Sequence, residues 1–276
     1  MVWSCSRAVI GDAFPDAAAR IAVVVRQSPA AFGIAQARWR LQDLPHAIPE
    51  LAGYSMAGLS RLVHRAGIGY QRGRSHLHSP DPAYQAKMDR IVVAERMADR
   101  YPERVVVVYG DEASYYRQPT LADCLRPQRE EPLAELGTKA NYRHRVGAAL
   151  NRQTGQVTWL AANRFTVATM RRFLIALRTA YPAHRLYLVW DNWPVHHHAT
   201  VLAEAARLQI HIVWLPTYAP WENPIEKLWR WMKQVVLHHH QFADDWPGLK
   251  LATRAFLDQF TQPSPDLLRY TGLLTH

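Results

Sequence analysis

The sequence is poor in cysteine and has no long hydrophobic run. Only Cys5 and Cys124 occur among its 276 residues, without the spacing of metal-ligand cysteines. The two could pair, but a reduced, cytosolic protein is the simpler expectation. No apolar stretch approaches the roughly 20 residues that a membrane-spanning helix needs. The first residues include Arg7, Asp12 and Asp16 and lack the continuous apolar core of a secretory signal.

Acidic residues are missing between Leu51 and Pro80, a stretch that carries four arginines and three histidines. Lysine is absent from residues 1–85, where nine arginines stand against five acids. The whole chain has a formal net charge of +10, which favours a polyanionic partner. The local asymmetry is the more informative of the two observations. With 49% hydrophobic residues, the length suffices for one catalytic domain and a small satellite.

Residues 54–67 predict a short helix with one apolar and one basic face. Ser55 is a good N-cap, and Gly67 is a good C-terminal stop. The basic face carries Arg61, His64 and Arg65. Such a helix suits the second helix of a helix-turn-helix unit that binds DNA. A surface helix with solvated arginines has the same pattern.

Less regular segments flank this helix. Ser28 and Pro29 predict a helix that runs to about residue 44, followed by a short helix near 48–52. Residues 71–82 are polar, basic and broken by glycine and two prolines, which indicates a linker. Arg72 and Arg74 could follow a DNA groove from there, although an unstructured tether fits equally well. We therefore predict a helix-turn-helix, winged-helix-like region at 1–75, a linker at 76–85 and a catalytic domain at 86–276.

The second domain alternates strand and helix patterns. Strands are predicted at about 104–110, 143–151, 156–161, 186–190 and 210–215. Helices are predicted at about 83–98, 166–181, 196–207, 224–239 and 247–260, and residues 112–142 look irregular. This order predicts an α/β fold with a mixed five-stranded sheet and helices on its faces. It suits a ribonuclease H-like domain with its chemistry at the strand ends.

Three spaced carboxylates are the candidate catalytic residues. Asp111 and Asp191 each end an apolar run, and Glu226 stands at the start of a predicted helix. Mg²⁺ prefers carboxylate oxygen, and two divalent ions can activate a water and stabilise a departing oxyanion. We therefore predict phosphodiester chemistry with two Mg²⁺ or Mn²⁺ ions. Asp111 would bridge both ions, while Asp191 and Glu226 would hold one each.

Glu226 also has a purely structural interpretation. Asn223 is a good N-cap, and Glu226 three residues later would complete a capping box. Glu226 could instead pair with Arg230 at i+4, and Glu222 is its main rival as a metal ligand.

Asp111 and Asp191 have alternatives as well. Asp191 alone could be a turn residue, and Glu112 could replace Asp111 as the ligand, although a supporting role suits Glu112 better. The histidine triplets at 196–198 and 238–240 could bind zinc, but consecutive histidines on a helix point in different directions and cannot all reach one ion, so a surface position is expected instead. His196 and Asn192 lie close enough to Asp191 in sequence to support an active site.

Tryptophans and cations surround Glu226 in the sequence. Trp229 is expected in the core, whereas Trp221 and Trp231 could stack on bases. Packing is nevertheless the commoner fate of tryptophan. Arg230 and Lys233 could contact phosphate, as could the arginine pair at 171–172.

Several of these motifs together resemble the DDE transposases of the mariner superfamily, in particular the bacterial insertion-sequence branch. They are Asp191-Asn192 followed by His196, the segment 215–220, and the segment 223–226 with Trp229. Between Asp191 and Glu226 lie 226 − 191 − 1 = 34 residues, a spacing found in that superfamily.

The resemblance implies a ribonuclease H-like catalytic domain that uses Mg²⁺ or Mn²⁺. It also implies hydrolysis at the element ends, followed by attack of the freed 3′-hydroxyl on double-stranded target DNA, usually at TA. The expected assembly is a homodimer on paired terminal inverted repeats. Two other readings stay open: a nuclease without strand transfer, and an inactive remnant that only binds DNA.

Overall fold

The computed structural model describes residues 14–70, 79–127 and 129–274. The chain divides into two compact units, Met1–His76 and Leu77–His276. Within the described ranges, no helix combines the length and the hydrophobicity that a membrane span requires. Arg72, Arg74 and residues 76–78 of the predicted linker lie outside the described residues.

The first unit is a small helical domain. Its α-helices are α1 (Phe14–Val24), α2 (Leu44–Ala47) and α3 (Met56–Arg65), with 3-10 turns at Pro29–Phe32, Leu41–Asp43 and Pro49–Leu51. Six buried aliphatic side chains form its core: Ile21, Leu44, Ile48, Leu51, Leu59 and Leu62. The predicted limits of α3 are confirmed, since Ser55 Oγ accepts a hydrogen bond from Gly58 N and Gly67 has a φ of 69°.

The helix predicted from Ser28 to residue 44 is wrong. Ser28 does cap a turn at Pro29–Phe32, but Gly33 follows in the left-handed conformation with a φ of 74° and ends it. Residues 34–40 then form neither helix nor strand. The described part of this unit contains no strand, so the winged-helix detail stays a prediction.

The second unit is built on a mixed five-stranded sheet, as predicted. The strands are β1 (Val105–Tyr116), β2 (Arg143–Asn151), β3 (Val157–Ala162), β4 (Arg185–Trp190) and β5 (Ile210–Trp214). Their order across the sheet is β3-β2-β1-β4-β5. β1, β4 and β5 run parallel, whereas β1, β2 and β3 pair in antiparallel fashion.

Helices cover both faces of this sheet. They are α4 (Tyr84–Arg100), α5 (Val167–Ala180), α6 (Ala199–Arg207), α7 (Ile225–Met232), α8 (Trp246–Asp258) and α9 (Pro265–Thr271), and a π-helical turn at Lys233–Leu237 extends α7. One core joins the sheet to α4, α7, α8 and α9. The other core joins it to α5 and α6.

Strand β1 sends its side chains alternately into these two cores. Val107 and Tyr109 belong to the core on the α7 face, and Val106 and Val108 belong to the core on the α5 face. The same two-residue period directs Asp111 towards α7 and Glu112 to the opposite face.

β1 is longer than predicted, and this changes the place of Asp111. Parallel pairing with β4 stops at Tyr109, whereas antiparallel pairing with β2 continues to Tyr116. Asp111 therefore lies inside its own strand but just beyond the end of the neighbouring strand β4.

Candidate active site

Asp111, Asp191 and Glu226 line one cleft of about 520 Å³. Asp191 directly follows β4, and Glu226 is the second residue of α7. Residues 192–194, residues 215–220 and Asn223 complete the wall. The structure thus brings the three predicted acids to one place.

Asp111 is half-buried and held in position by a tryptophan. Trp229 Nε1 donates a hydrogen bond of 2.8 Å to Asp111 Oδ2. Burial, together with the nearby charges of Glu226 and Glu112, raises the pKa of Asp111 well above its usual range. A carboxylate in this position is stabilised by a cation in the cleft. Trp229 lies in the core, as predicted, and its bond to Asp111 is an additional role that the apolar pattern does not reveal.

Asn223 fixes the start of α7 against the sheet. Its Nδ2 donates to the carbonyl oxygen of Gly110 at 3.1 Å, one residue before Asp111. The predicted capping box is therefore wrong: Pro224 occupies the cap position, and no side chain caps the helix. An added Cβ at Gly110 would lie 2.8 Å from Leu188 Cδ1, so a larger residue there would displace that buried side chain.

Glu226 faces the cleft without a protein partner. Among the described residues, none donates a hydrogen bond to its carboxylate, and the predicted pair with Arg230 is not formed. Burial raises its pKa, the charge of Asp191 adds to that increase, and Lys233 and Arg230 oppose it. The rival ligand Glu222 accepts a hydrogen bond of 2.6 Å from the Tyr84 hydroxyl and does not line the cleft.

Asp191 is held by a buried histidine. His196 Nδ1 lies 2.8 Å from Asp191 Oδ1, and His196 Nε2 lies 3.2 Å from Glu112 Oε1. The His196 ring is fully buried and stacks on Trp190 at 3.6 Å. Burial acts against protonation, but the hydrogen bonds to Asp191 and Glu112 raise the pKa of His196 to about 9. An imidazolium between two carboxylates fixes the orientation of Asp191.

The most compact group of potential metal ligands differs from the predicted trio. Among the described residues, it is Glu112, Asp191 and His196 whose ligand atoms lie within 4.8 Å of one another. Both ring nitrogens of His196 already face carboxylate oxygens, so this group is an ion-paired support for Asp191. Because Glu112 also lies on the other face of β1, Asp111 remains the better ligand.

The donor set of the cleft suits a hard divalent cation. It offers three carboxylates, and Glu226 among them has no competing donor. Asn223 Oδ1 adds a buried oxygen without a hydrogen-bond partner. Mg²⁺ and Mn²⁺ prefer such oxygen ligands.

A segment predicted as part of the linker holds the cleft loop. Asp81 Oδ2 accepts hydrogen bonds from Thr217 N and Lys87 Nζ, both at 2.8 Å, and Ser79 Oγ donates to Thr217 O at 2.6 Å. The predicted linker is thus wrong for residues 79–85, which belong to the second unit. Asn192 Nδ2 donates to Leu215 O at 2.7 Å and ties the same loop to β4.

The remaining candidates separate into buried and exposed groups. The expected surface position is wrong for His196 and His240, which are buried. Trp231 packs among Phe256, Phe260 and Tyr270, whereas Trp221 is exposed. Arg61, His64 and Arg65 are exposed on α3.

A mixed sheet of this order, with Asp111 on β1 and Asp191 directly after the adjacent β4, defines a ribonuclease H-like α/β protein. The fold matches a Mos1 transposase paired-end complex with the left transposon end, with a TM-score of 0.57 and 17% identity over 90% of this chain and 74% of that chain. It also matches the mariner Mos1 paired-end complex with Mg, with a TM-score of 0.62 and 16% identity over 99% and 78%.

Sequence comparison identifies the family. Residues 106–246 match the family model described as DDE superfamily endonuclease, and the chain belongs to this family. It is 27% identical over 234 residues to the insertion element IS630 uncharacterized 39 kDa protein of Shigella sonnei. The match covers 82% of this chain and 66% of that protein, slightly under two thirds of its length. The resemblance inferred from the motifs around Asp191 and Glu226 is confirmed.

Proposed function

We propose that this protein is a transposase that cleaves DNA at the ends of an insertion element and joins those ends to target DNA. The observation that carries the proposal is the convergence of Asp111, Asp191 and Glu226 on one cleft, in a chain of the DDE endonuclease family. The Mos1 proteins of similar fold are described in complexes with transposon-end DNA and in a strand transfer complex.

The reaction consists of two displacements at phosphorus. In hydrolysis, a water oxygen bonds to phosphorus and loses a proton to solvent, while the bond to the 3′ oxygen breaks and that oxygen takes up a proton, which leaves a 5′-phosphate and a 3′-hydroxyl. In joining, the 3′-hydroxyl oxygen loses its proton to solvent and bonds to the phosphorus of a target phosphodiester, and the displaced target 3′ oxygen takes up a proton. Two bound Mg²⁺ or Mn²⁺ ions would supply the charge that activates the nucleophile and stabilises the leaving oxygen.

The chain's own residues would bind the ions and orient the metal ligands. Asp111, Asp191 and Glu226 would hold the ions, while Trp229 orients Asp111 and His196 orients Asp191. Such supporting contacts fix ligand geometry before the substrate binds.

The first unit would supply recognition of the element ends. We infer that α3 enters the major groove and that Arg61, His64 and Arg65, with Arg72 and Arg74 beyond it, contact the DNA. Two copies acting on paired inverted repeats would form a homodimer on DNA, associated with the nucleoid of a bacterial cell.

A cleavage assay on supercoiled plasmid carrying the flanking inverted repeats tests this proposal. The wild type is run with Mg²⁺, with Mn²⁺ and with EDTA, beside Asp191→Asn. Asp266→Asn is the matched control, because Asp266 is exposed on α9 and pairs only with Arg269. We expect metal-dependent cuts at the repeat ends and joined products, both reduced at least about 10³-fold by Asp191→Asn and unchanged by the control.

The product pattern separates the alternatives. Cuts without joined products would indicate a nuclease that lacks strand transfer. Binding to the repeats without any cleavage would indicate a DNA-binding remnant, and the transposase proposal would then be wrong.

A further inference from the structure

A second groove adjoins the acid cleft on the α7 side. It has a volume of about 640 Å³, and Pro220, Asn223 and Glu226 line both hollows. Glu226 therefore stands at the boundary between them. Three side chains of different chemistry line the second groove beyond that boundary: Trp221, Arg230 and Lys233.

Trp221 presents an aromatic surface to solvent. Among the tryptophans that the structure describes, it alone is exposed, with 48% of its surface accessible. It lies on the 3-10 turn Pro220–Glu222, which is fixed by the hydrogen bond from the Tyr84 hydroxyl to Glu222. Because the backbone of this turn is already held in place, ordering the ring on a ligand costs less conformational entropy.

Arg230 and Lys233 give the groove a positive wall. They follow Glu226 at i+4 and i+7, so the three side chains share one stripe of the helix. Both cations are exposed, and among the described residues neither forms an ion pair. Lys227, in contrast, donates to the carbonyl oxygen of Thr271 and is not available.

This combination matches the chemistry of an unpaired nucleotide. Cations that follow the backbone and an aromatic ring that stacks on a base are the two elements of single-strand binding. In a duplex, each base face is covered by its neighbours, so Trp221 can stack only on a base that has left the helix.

We propose that the groove formed by Trp221, Arg230 and Lys233 binds an unpaired nucleotide of the DNA strand whose phosphate lies at the acid cleft. The inference rests on the proposed function for the identity of that cleft. Because Glu226 belongs to both hollows, a nucleotide stacked on Trp221 positions the neighbouring phosphate beside the acids.

The test measures binding in EDTA, where no cleavage takes place. The probes are a short oligothymidylate that carries one 2-aminopurine and the same strand annealed to its complement. Stacking on an indole quenches 2-aminopurine. We expect the wild type to quench the single strand and bind it more tightly than the duplex. Trp221→Ala should abolish the quenching and weaken single-strand binding about 5- to 100-fold, whereas Trp221→Phe should retain most of the affinity.

Matched controls separate the groove from general effects. Tyr101→Ala removes another exposed aromatic ring and should change nothing. Arg230→Gln and Lys233→Gln should each lower the salt dependence of single-strand binding by about 0.7 in slope, because each removes one phosphate contact. Arg90→Gln, an exposed arginine on α4, should leave the slope unchanged.

The outcomes for the groove and for the proposed function are distinct. If Trp221→Ala binds and quenches like the wild type, or if the wild type does not distinguish single strand from duplex, the groove proposal is wrong even when the plasmid is cleaved. If the plasmid is not cleaved but quenching depends on Trp221, the groove is a single-strand site and the transposase proposal is the one that fails.

Discussion

The two walls of the acid cleft differ in how they are held. On the sheet side, Asp111 and Asp191 line the cleft, and Glu112 and His196 lie behind Asp191. These four residues are called the sheet wall, and each of their side chains has a protein partner within hydrogen-bonding distance. On the helix side, Glu226 lines the cleft, and Trp221, Arg230 and Lys233 line the adjoining groove. These four residues are called the helix wall. There, the carboxylate and both cations lack hydrogen-bonded or ion-paired partners within the described parts of the chain.

This difference distinguishes side chains that are positioned when the protein folds from side chains that are available to bind ligands. The sheet wall is fixed by contacts that form with the core, so its acids are oriented before any substrate binds. The helix wall keeps its charges available, which is the condition for contact with metal and phosphate. Mutations in the sheet wall should therefore reduce stability and activity together, whereas mutations in the helix wall should spare stability.

The largest effect on stability is expected from His196→Ala. The substitution leaves Glu112 buried without its partner and opens a cavity beside Trp190. Removing one member of a buried ion pair typically costs about 3–5 kcal/mol. Urea unfolding followed by circular dichroism measures the loss. His197→Ala is the control, because His197 is exposed and the substitution removes its stacking contact with Trp214 but no ion pair, so that it should cost about 0.5–1.5 kcal/mol. Equal stability of the two variants would contradict the distinction between the walls.

Trp229→Phe should impair catalysis more than folding. Phenylalanine retains most of the packing but cannot donate to Asp111 Oδ2. Loss of a contact that orients a metal ligand typically reduces activity or metal affinity about 10- to 100-fold. We expect plasmid cleavage to fall by that factor and the Mn²⁺ concentration for half-maximal rate to rise. Trp231→Phe, within the aromatic cluster around Phe256, is the matched control. A loss of similar size in both variants would show that the indole N–H of Trp229 has no special role.

The third effect is expected from Asp81→Asn. Asp81 anchors the cleft loop, because its carboxylate accepts a hydrogen bond from Thr217 N. Hydrogen bonds from Lys87, Thr217 and Ala83 hold the pKa of Asp81 far below its usual range. A depressed carboxylate pKa contributes stability above the unfolded-state pKa of about 4, and this contribution is lost as pH falls towards the folded-state pKa. Asp81→Asn should therefore be less stable than the wild type at neutral pH, and the two should converge in acid.

Thermal melts of both proteins from pH 7 down to pH 3 measure this difference in stability. In a separate assay at pH 7, Asp81→Asn should cleave DNA about tenfold more slowly, because the loop loses its position. Asp89→Asn serves as the control, because Asp89 accepts a bond only from exposed Gln85 on α4. A constant stability difference across the pH range would exclude titration of Asp81 as the cause.

Local signals predicted most of the frame and the three acids. Ser55 caps its helix as the sequence indicates, and apolar runs place Asp111 and Asp191 at adjacent strands. Predictions failed where a residue bonds to a partner that is distant in sequence and does not form the local contact that its neighbours indicate. Asn223 bonds to the Gly110 carbonyl instead of capping its own helix, and His196 is drawn inward by two carboxylates.

The loop anchor could not be predicted, because its partners are far apart in sequence. Asp81 and Thr217 are separated by 136 positions, and neither stands in a motif that indicates the other. The failed helix after Ser28 has a different cause: one glycine in the left-handed conformation outweighs a good cap.

The smallest effect is expected from Glu226→Gln in the absence of metal. Partial loss of hydration in the cleft and the charge of Asp191 raise the pKa of Glu226 in the folded protein. A raised pKa means that stability present below the unfolded-state value of about 4 is lost as pH rises through the folded-state pKa. Glutamine does not titrate, so the variant should have a slightly higher melting temperature than the wild type at pH 7. The corresponding gain in the free energy of unfolding is at most a few tenths of a kcal/mol, because the side chain is exposed.

Mn²⁺ should reverse that order. Ion binding stabilises only the folded state, and it should do so more in the wild type, which retains all three carboxylates. Thermal melts with EDTA and with Mn²⁺ give the comparison, and Glu103→Gln, an exposed acid before β1, controls for the loss of charge. A variant that Mn²⁺ stabilises as much as the wild type would remove Glu226 from the ligand set, and the helix wall would then contact DNA alone.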